Sequence, residues 1–183
     1  GACPHGATRS GAGQGSGGAG EPQGDRFCAA SDGGELHLWD FTAAMEVSRL
    51  PGAHTDAVRR LCFVEEGSCL LSASLDRSVK LFDLRSGQCV AALSLAEEVE
   101  DADVVDARRF CAVHGRRLSV WDWRNFARCE AEAVVGAKSL TRVRAAGELL
   151  LTAGTDGCLR CFGRAEGRLE PLGQRQFDSG IAL

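Results

Sequence analysis

The chain has 183 residues, with 21 basic and 25 acidic side chains, a formal net charge of −4 and 44% apolar residues. That length can bury a core, while the near balance of charge gives no electrostatic case for a nucleic-acid or membrane partner. No apolar run approaches the length that a spanning helix needs.

Residues 1–24 are rich in Gly, Ala and Ser and hold almost no apolar side chains. Burial there cannot offset the entropy of ordering, so a disordered tail is expected. Gly13, Gly15 and Gly18 have the spacing of a dinucleotide fingerprint. Neither a strand before them nor a helix after them is expected, so no phosphate cradle is either.

Residues 25–51 give a unit lacking its first strand: strands at Phe27–Ser31, Glu35–Phe41 and Met45–Leu50, with an Asp32-Gly33-Gly34 turn. Asp-Gly between alternating segments is a hairpin signal. Residues 52–95 hold four short apolar segments, with turns at Glu65-Glu66-Gly67, Leu75-Asp76-Arg77 and Arg85-Ser86-Gly87. Residues 96–136 open on an acidic run, Glu97, Glu98, Glu100, Asp101, Asp103 and Asp106. It is read as a solvated connection merging into a degenerate strand, in preference to a loop that meets a basic partner. Strands follow at Arg109–His114, Leu118–Trp123 and Cys129–Val135. Residues 137–175 give strands at Leu140–Val143, Leu149–Ala153, Cys158–Phe162 and Arg168–Leu172, with a turn at Thr155-Asp156-Gly157. Residues 176–183 open a further strand, Phe177–Leu183.

These units repeat. Trp39-Asp40, Phe82-Asp83, Trp121-Asp122 and a worn Phe162-Gly163 recur at intervals of roughly 40 residues, a propeller-blade period. Leu36, Val79, Leu118 and Leu159 share one register position, and Leu38, Leu81, Val120 and Cys161 the next on the same face. His37, Lys80, Ser119 and Arg160 lie between them, on the opposite face.

Residues 72–93, SASLDRSVKLFDLRSGQCVAAL, resemble a WD repeat. The resemblance covers about residues 26–175 and implies an all-β fold: a β-propeller portion of about four WD-like four-stranded blades, part of a larger propeller. It also implies a hydrogen-bonded set of His, Ser or Thr, Asp and Trp in each blade. In the second blade these map onto His54, Ser72 and Asp76, with Phe82 in the Trp position and so no N–H there. The fourth blade keeps Thr152 and Asp156, has Phe162, and has no His near Gly136-Ala137-Lys138. The first keeps Asp32 and Trp39, with Cys28 where Ser or Thr is expected. The third keeps Trp121-Asp122.

Candidate chemistry is sparse. Nine cysteines without a recognisable apolar leader are expected to be reduced thiols acting as small hydrophobes, in a cytoplasmic or nuclear protein. Cys158 and Cys161 spell CxxC, but residues three apart in a strand point to opposite faces, and Cys161 is expected in the core. His5, His37, His54 and His114 show no catalytic arrangement. No catalytic residue, cofactor or metal site is therefore expected. The resemblance implies binding of another protein or peptide through loops at one end of the blades. Those loops hold Ser31, Asp32, Leu75, Arg77, His114, Arg116, Arg117 and Thr155, with Gly52–Asp56 and Glu97–Asp103. Leu75 and the arginines are the expected anchors. A narrower alternative rests on the Ser86-Gly87-Gln88-Cys89-Val90 connection, which is similar to repeats in F-box WD-repeat substrate receptors of ubiquitin ligases. An enzyme, needing a buried polar cluster in the central channel, is the less favoured alternative. Open strand edges carry an aggregation liability.

Overall fold

A computed structural model describes residues 18–21, 24–50, 52–136, 138–165 and 167–177. It consists of four antiparallel four-stranded sheets, each a meander of consecutive strands. Blade one is β1 (Gly18–Gly20), β2 (Arg26–Ala30), β3 (Leu36–Asp40) and β4 (Met45–Leu50). Blade two is β5 (Val58–Val64), β6 (Cys69–Ser74), β7 (Ser78–Asp83) and β8 (Gln88–Ser94), with a 3-10 turn at Glu65–Gly67. Blade three is β9 (Val99–Val104), β10 (Arg109–His114), β11 (Arg117–Asp122) and β12 (Asn125–Val134). Blade four is β13 (Leu140–Ala146), β14 (Leu149–Gly154), β15 (Cys158–Ala165) and β16 (Arg168–Gln176).

The repeated register expected from the sequence is present. Leu38, Leu81, Val120 and Cys161 lie opposite Cys28, Leu71, Cys111 and Leu151 in the four blades. One expectation fails at the start. Blade one does have a first strand, and residues 18–20 are not tail: Gly18 pairs with Ala29, Ala19 with Cys28 and Gly20 with Phe27. Glycine strands carry no apolar pattern, so composition conceals them; the pairing uses only the main chain. The Arg26 guanidinium grips Glu21 at 2.6 Å just beyond this strand. The remainder of the expected tail, residues 1–17 and 22–23, and most of the expected further strand, residues 178–183, lie outside the described residues.

Each blade packs its forward face on the next. Cys28, Ala30, Leu36 and Leu38 of blade one meet Val58, Leu61, Leu70 and Phe82 of blade two. Leu71, Ala73, Val79 and Leu81 of blade two meet Val99, Ala102, Phe110 and Trp123 of blade three. Cys111, Val113, Leu118 and Val120 of blade three meet Leu140, Val143, Leu150 and Phe162 of blade four. Alternation along a strand supplies both faces: in blade two, Leu71 points forward and Leu70 back.

Blade four has no blade on its forward face among the described residues. Leu151, Leu159 and Cys161 are accordingly half-buried. This corrects the expectation that Cys161 is core: its register position is apolar, but the surface that would cover it is not among these residues.

Leu71 and Leu151 are a matched pair in equivalent positions, one enclosed and one half-covered. Leu71→Ala should destabilise the fold by about 2–5 kcal/mol, and Leu151→Ala by less than half as much. Urea unfolding of the two variants measures the difference.

Candidate functional site

The connection before β5 delivers His54 into the sheet of blade two. The imidazole lies with Nε2 2.7 Å from Ser72 Oγ and Nδ1 2.8 Å from Asp76 Oδ2. A carboxylate only accepts, so Nδ1 carries the proton and Nε2 accepts from the Ser72 hydroxyl. Asp76 also accepts from the Thr55 N–H at 3.1 Å and, through its other oxygen, from the Ser78 N–H at 2.9 Å and hydroxyl at 2.6 Å. Burial pushes the His54 value below its ordinary 6.5, so the ring is neutral. Burial alone would raise the Asp76 carboxyl, but the bonds from Ser78, Thr55 and His54 hold it below the ordinary range. Phe82 makes no polar contact and fills the core between blades one and two.

The other blades depart from this pattern. In blade one, Ala30 pairs with Leu36 as Ala73 pairs with Val79. Counting along the turn, Gly33 therefore takes the place of Asp76 and Asp32 that of Leu75. Ala29, opposite His37, takes the place of Ser72, opposite Lys80. Asp32 is thus an exposed turn residue outside any such network, and Cys28 is a core residue, one position from the Ser slot. Each lies one residue from the position that the resemblance implies. Trp39 stacks on Phe27, with ring centroids 6.2 Å apart. Gly34 is required for a different reason: at φ +85°, a Cβ there would lie 2.4 Å from the His54 carbonyl oxygen.

Blade three has a network of its own that the sequence did not announce. Trp121 Nε1 donates to Ser119 Oγ at 2.9 Å, and His114 Nε2 lies 3.1 Å from the same oxygen. The imidazole comes from the end of β10, not from the connection before β9. In blade four Thr152 is buried and its hydroxyl has no partner among the described residues. Asp156 turns instead to Arg160, at 2.5 Å. Arg160 occupies the position of Lys80, whose ammonium donates to the Ala53 carbonyl.

The acidic run divides. Glu97 and Glu98 are exposed, but Asp101 is only 3% exposed, which corrects the solvated reading. Strand β9 lies between β5 and β13, and its carboxylates bind both. Arg60 of β5 reaches Asp103 at 3.1 Å and Asp101 at 3.9 Å. On the other side Asp101 accepts from the Val143 N–H at 3.1 Å and from Arg144 at 2.8 Å, while Asp103 accepts from the Ala145 N–H at 2.9 Å. Burial raises the Asp101 carboxyl above its ordinary value, against the pull of Arg144, the Val143 N–H and Arg60. Aligning the first strands shows part of this belt: Arg60 and Asp101 share one register position, and Arg144 lies two residues beyond the equivalent position in β13.

At the end of the blades that carries the β6–β7 and β10–β11 turns, a cavity of about 320 Å³ is lined by Arg77, Ala96, Glu97, Glu98, Glu100, Gly115 and Ser139. Of the expected face residues it unites Arg77 with the acidic connection. Arg77 sits at φ +67°, where blades one and four have Gly34 and Gly157; a non-glycine residue is uncommon there. Glu97 caps the tight turn at Gly115, where a Cβ would overlap its carboxylate. Leu75, Arg116 and Thr155 do not line the cavity, and neither do Ser31 and Asp32. Arg117 is tied to Glu132 at 2.9 Å. His114 is buried, with Nδ1 unpartnered among the described residues. Among those residues, no group of three or more His, Cys, Asp or Glu side chains is placed to hold a metal ion.

Residues 46–83 match the family model described as WD domain, G-beta repeat. The matched stretch runs from the outer strand β4 of blade one to the end of β7 in blade two. The chain is 36% identical over 78 residues to the probable cytosolic iron-sulfur protein assembly protein CIAO1 homolog of Caenorhabditis elegans, covering 41% of this chain and 23% of that protein. It is 37% identical over 57 residues to pre-mRNA-processing factor 17 of Homo sapiens, covering 31% of this chain and 10% of that protein. A longer alignment, 27% identical over 168 residues, covers 86% of this chain and 40% of WD repeat-containing protein 55 of Mus musculus. The chain thus carries a WD repeat at residues 46–83 and is similar over most of its length to a WD-repeat protein. It spans less than half the length of each of these relatives.

Two outcomes follow. The buried imidazoles of His54 and His114 both have folded values below 6.5. As pH falls below 6.5 the unfolded chain takes up these protons first, so their contribution is complete above that value and is lost as pH falls toward the folded values. Asp76, depressed from 3.8, adds a further loss only in stronger acid. Melting temperature should therefore decline on acidification from about neutrality, and His54→Gln should flatten that decline. Second, Asp101→Ala leaves Arg144 without its carboxylate and the Val143 N–H without its acceptor, with Arg60 paired to Asp103 alone, and should cost about 3–5 kcal/mol in denaturant unfolding. Asp101→Asn retains an acceptor without the buried charge and should lose less.

Proposed function

We propose that this chain is a non-catalytic scaffold that binds another protein or peptide through the loops at the cavity end of blades two, three and four. The observation that carries this reading is the cavity itself. It is open, spans three blades, and gathers Arg77 with three glutamates on a frame cross-linked by the buried belt and the His54 network. Glu98 makes no hydrogen bond or ion pair among the described residues, so its charge is available to a partner. Concave sites with a few convergent polar groups are the usual places for recognition, and in stacked-repeat folds the loops are the surfaces left free.

The cytoplasm or the nucleus is the proposed location. One relative is named as a probable cytosolic iron-sulfur protein assembly protein and another as a pre-mRNA-processing factor. The F-box substrate-receptor reading is the narrower form of this proposal, supported by the Ser86–Val90 connection.

Affinity capture with the wild-type chain, a Glu97→Lys/Glu98→Lys variant and an Arg77→Ala variant tests the face. Both variants should lose at least one protein that the wild type retains. Arg124→Ala, at the opposite end of blade three, should retain it. Equal capture by all four chains would sink the reading.

A further inference from the structure

Blade two is covered by blade one on one face and by blade three on the other. What it leaves free is the edge of its outer strand, β8, at the end of its sheet. An unpaired edge is a template for a further strand, and folded proteins blunt such edges with charge or proline. Three outer strands of this chain are blunted in that way. β4 carries Glu46 and Arg49, β12 carries Arg128 and Glu130, and β16 carries Glu170 and Pro171. β8 carries neither charge nor proline, and no charged residue lies between Arg85 and Glu97. The edge is open as well: Val90 is 55% exposed, and Ala92 and Ser94 are exposed.

One bond fixes the direction of the main-chain groups. The Leu95 N–H donates inward to the Arg77 carbonyl at 2.8 Å. By the alternation of an antiparallel ladder, Leu93 and Ala91 also bond inward, to Val79 and Leu81. Ala92 and Ser94 therefore turn their N–H and C=O groups outward. A bulge at Val90 interrupts the ladder beyond Ala91, so the regular stretch is Ala91–Leu95.

We infer that β8 is the contact of a reversible dimer, in which a second copy of this chain adds its own β8 antiparallel across a two-fold axis at Leu93. In that register Ala92 lies opposite Ser94 of the second copy, and Ser94 opposite its Ala92. All the outward groups of the regular stretch are then paired, and neither bulge is involved. Leu93 meets Leu93, and Ala91 meets Leu95, so apolar side chains face apolar ones and no like charges meet. A second copy is the fitting occupant because the edge is complementary to itself: every contact made by one copy is made again by the other. The contact lies on the outer strands, away from the first strands that carry the belt, and the inference does not rest on the function proposed for the cavity.

Sedimentation velocity of the full chain from about 1 μM to about 500 μM tests it, a range that covers weak and moderate association. The wild type should pass from monomer to dimer. Ala92→Lys changes an exposed position and sets lysines on the edge beside the two-fold axis, so it should weaken the dimer by about tenfold or more. Val134→Lys, at a valine of β12 that is 58% exposed, should leave it unchanged. Thermal melts establish that each variant is folded; if Ala92→Lys does not fold, cross-linking decides. Chains carrying Ala92→Cys and chains carrying Ser94→Cys, each with Cys89→Ser, are mixed and mildly oxidised. Cα atoms of residues in a hydrogen-bonded antiparallel pair lie about 5.5 Å apart, within the range of a disulfide. The mixture should therefore give a disulfide-linked dimer that neither chain gives alone. A monomer at every concentration overturns the inference and leaves the edge to an extended segment of another protein. A dimer that folded Ala92→Lys does not weaken, or that Val134→Lys dissociates, overturns it equally, as does cross-linking no greater in the mixture than in the separate chains.

Discussion

Two carboxylates on one short strand hold three blades in register. Asp101 and Asp103 project from β9 and bind Arg60 on one side and Arg144 with two main-chain N–H groups on the other. Burying a carboxylate is costly, and the cost is partly offset here because both oxygens of each aspartate accept from buried or half-buried donors. The apolar cores between blades are non-directional and would tolerate some sliding of one sheet over another. The belt does not: each aspartate accepts from a specific N–H of β13, which fixes how far blade four is displaced along blade three. Apolar burial supplies the bulk of the stability, and the charged belt supplies the alignment.

That alignment positions the loops. The cavity is assembled from a turn of blade two, the connection into blade three, a turn of blade three and the connection into blade four. No single blade contains it. Its shape therefore depends on the interblade contacts, and the local networks serve to stiffen the turns at its rim. In blade two, His54 ties the incoming connection to the β6–β7 turn through Asp76. Blade four obtains a comparable brace from Arg160, and blade three from His114 and Ser119. Three different chemistries thus restrain equivalent corners of equivalent sheets.

Much of this architecture was legible in the residues. The aromatic anchors and the alternating apolar positions marked the second and third strands of every blade, because at least one face of those strands is buried and the pattern is strong. What the sequence concealed has physical causes. Strand β1 is Gly-Ala-Gly and pairs through its main chain alone, so no side-chain pattern marks it. Asp32 looked like a network residue because a turn shifted by one carries the same letters; only the pairing of Ala30 with Leu36 shows the offset. The acidic run read as solvated because charge usually faces water, and its partners, Arg60, Arg144 and the N–H groups of Val143 and Ala145, lie some 40 positions away in the chain, at roughly one blade period. The expectation for Cys161 was sound in register and failed in context, since the covering surface is not among the described residues.

The stretch that matches the family repeat begins in the outer strand of one sheet and ends in the third strand of the next. The unit of heredity and the unit of structure are therefore out of phase by one strand. Duplicating or deleting one sequence repeat leaves every internal sheet four-stranded, since each new outer strand is delivered by the following copy. Such a chain can change its number of blades without passing through a form that holds an orphan strand, and each copy is covalently stapled to the sheet before it. The same phase offset governs dissection. A cut after Asp83, at the end of the matched stretch, would strip β8 from blade two, whereas a cut in the connection after Ser94 leaves that blade whole.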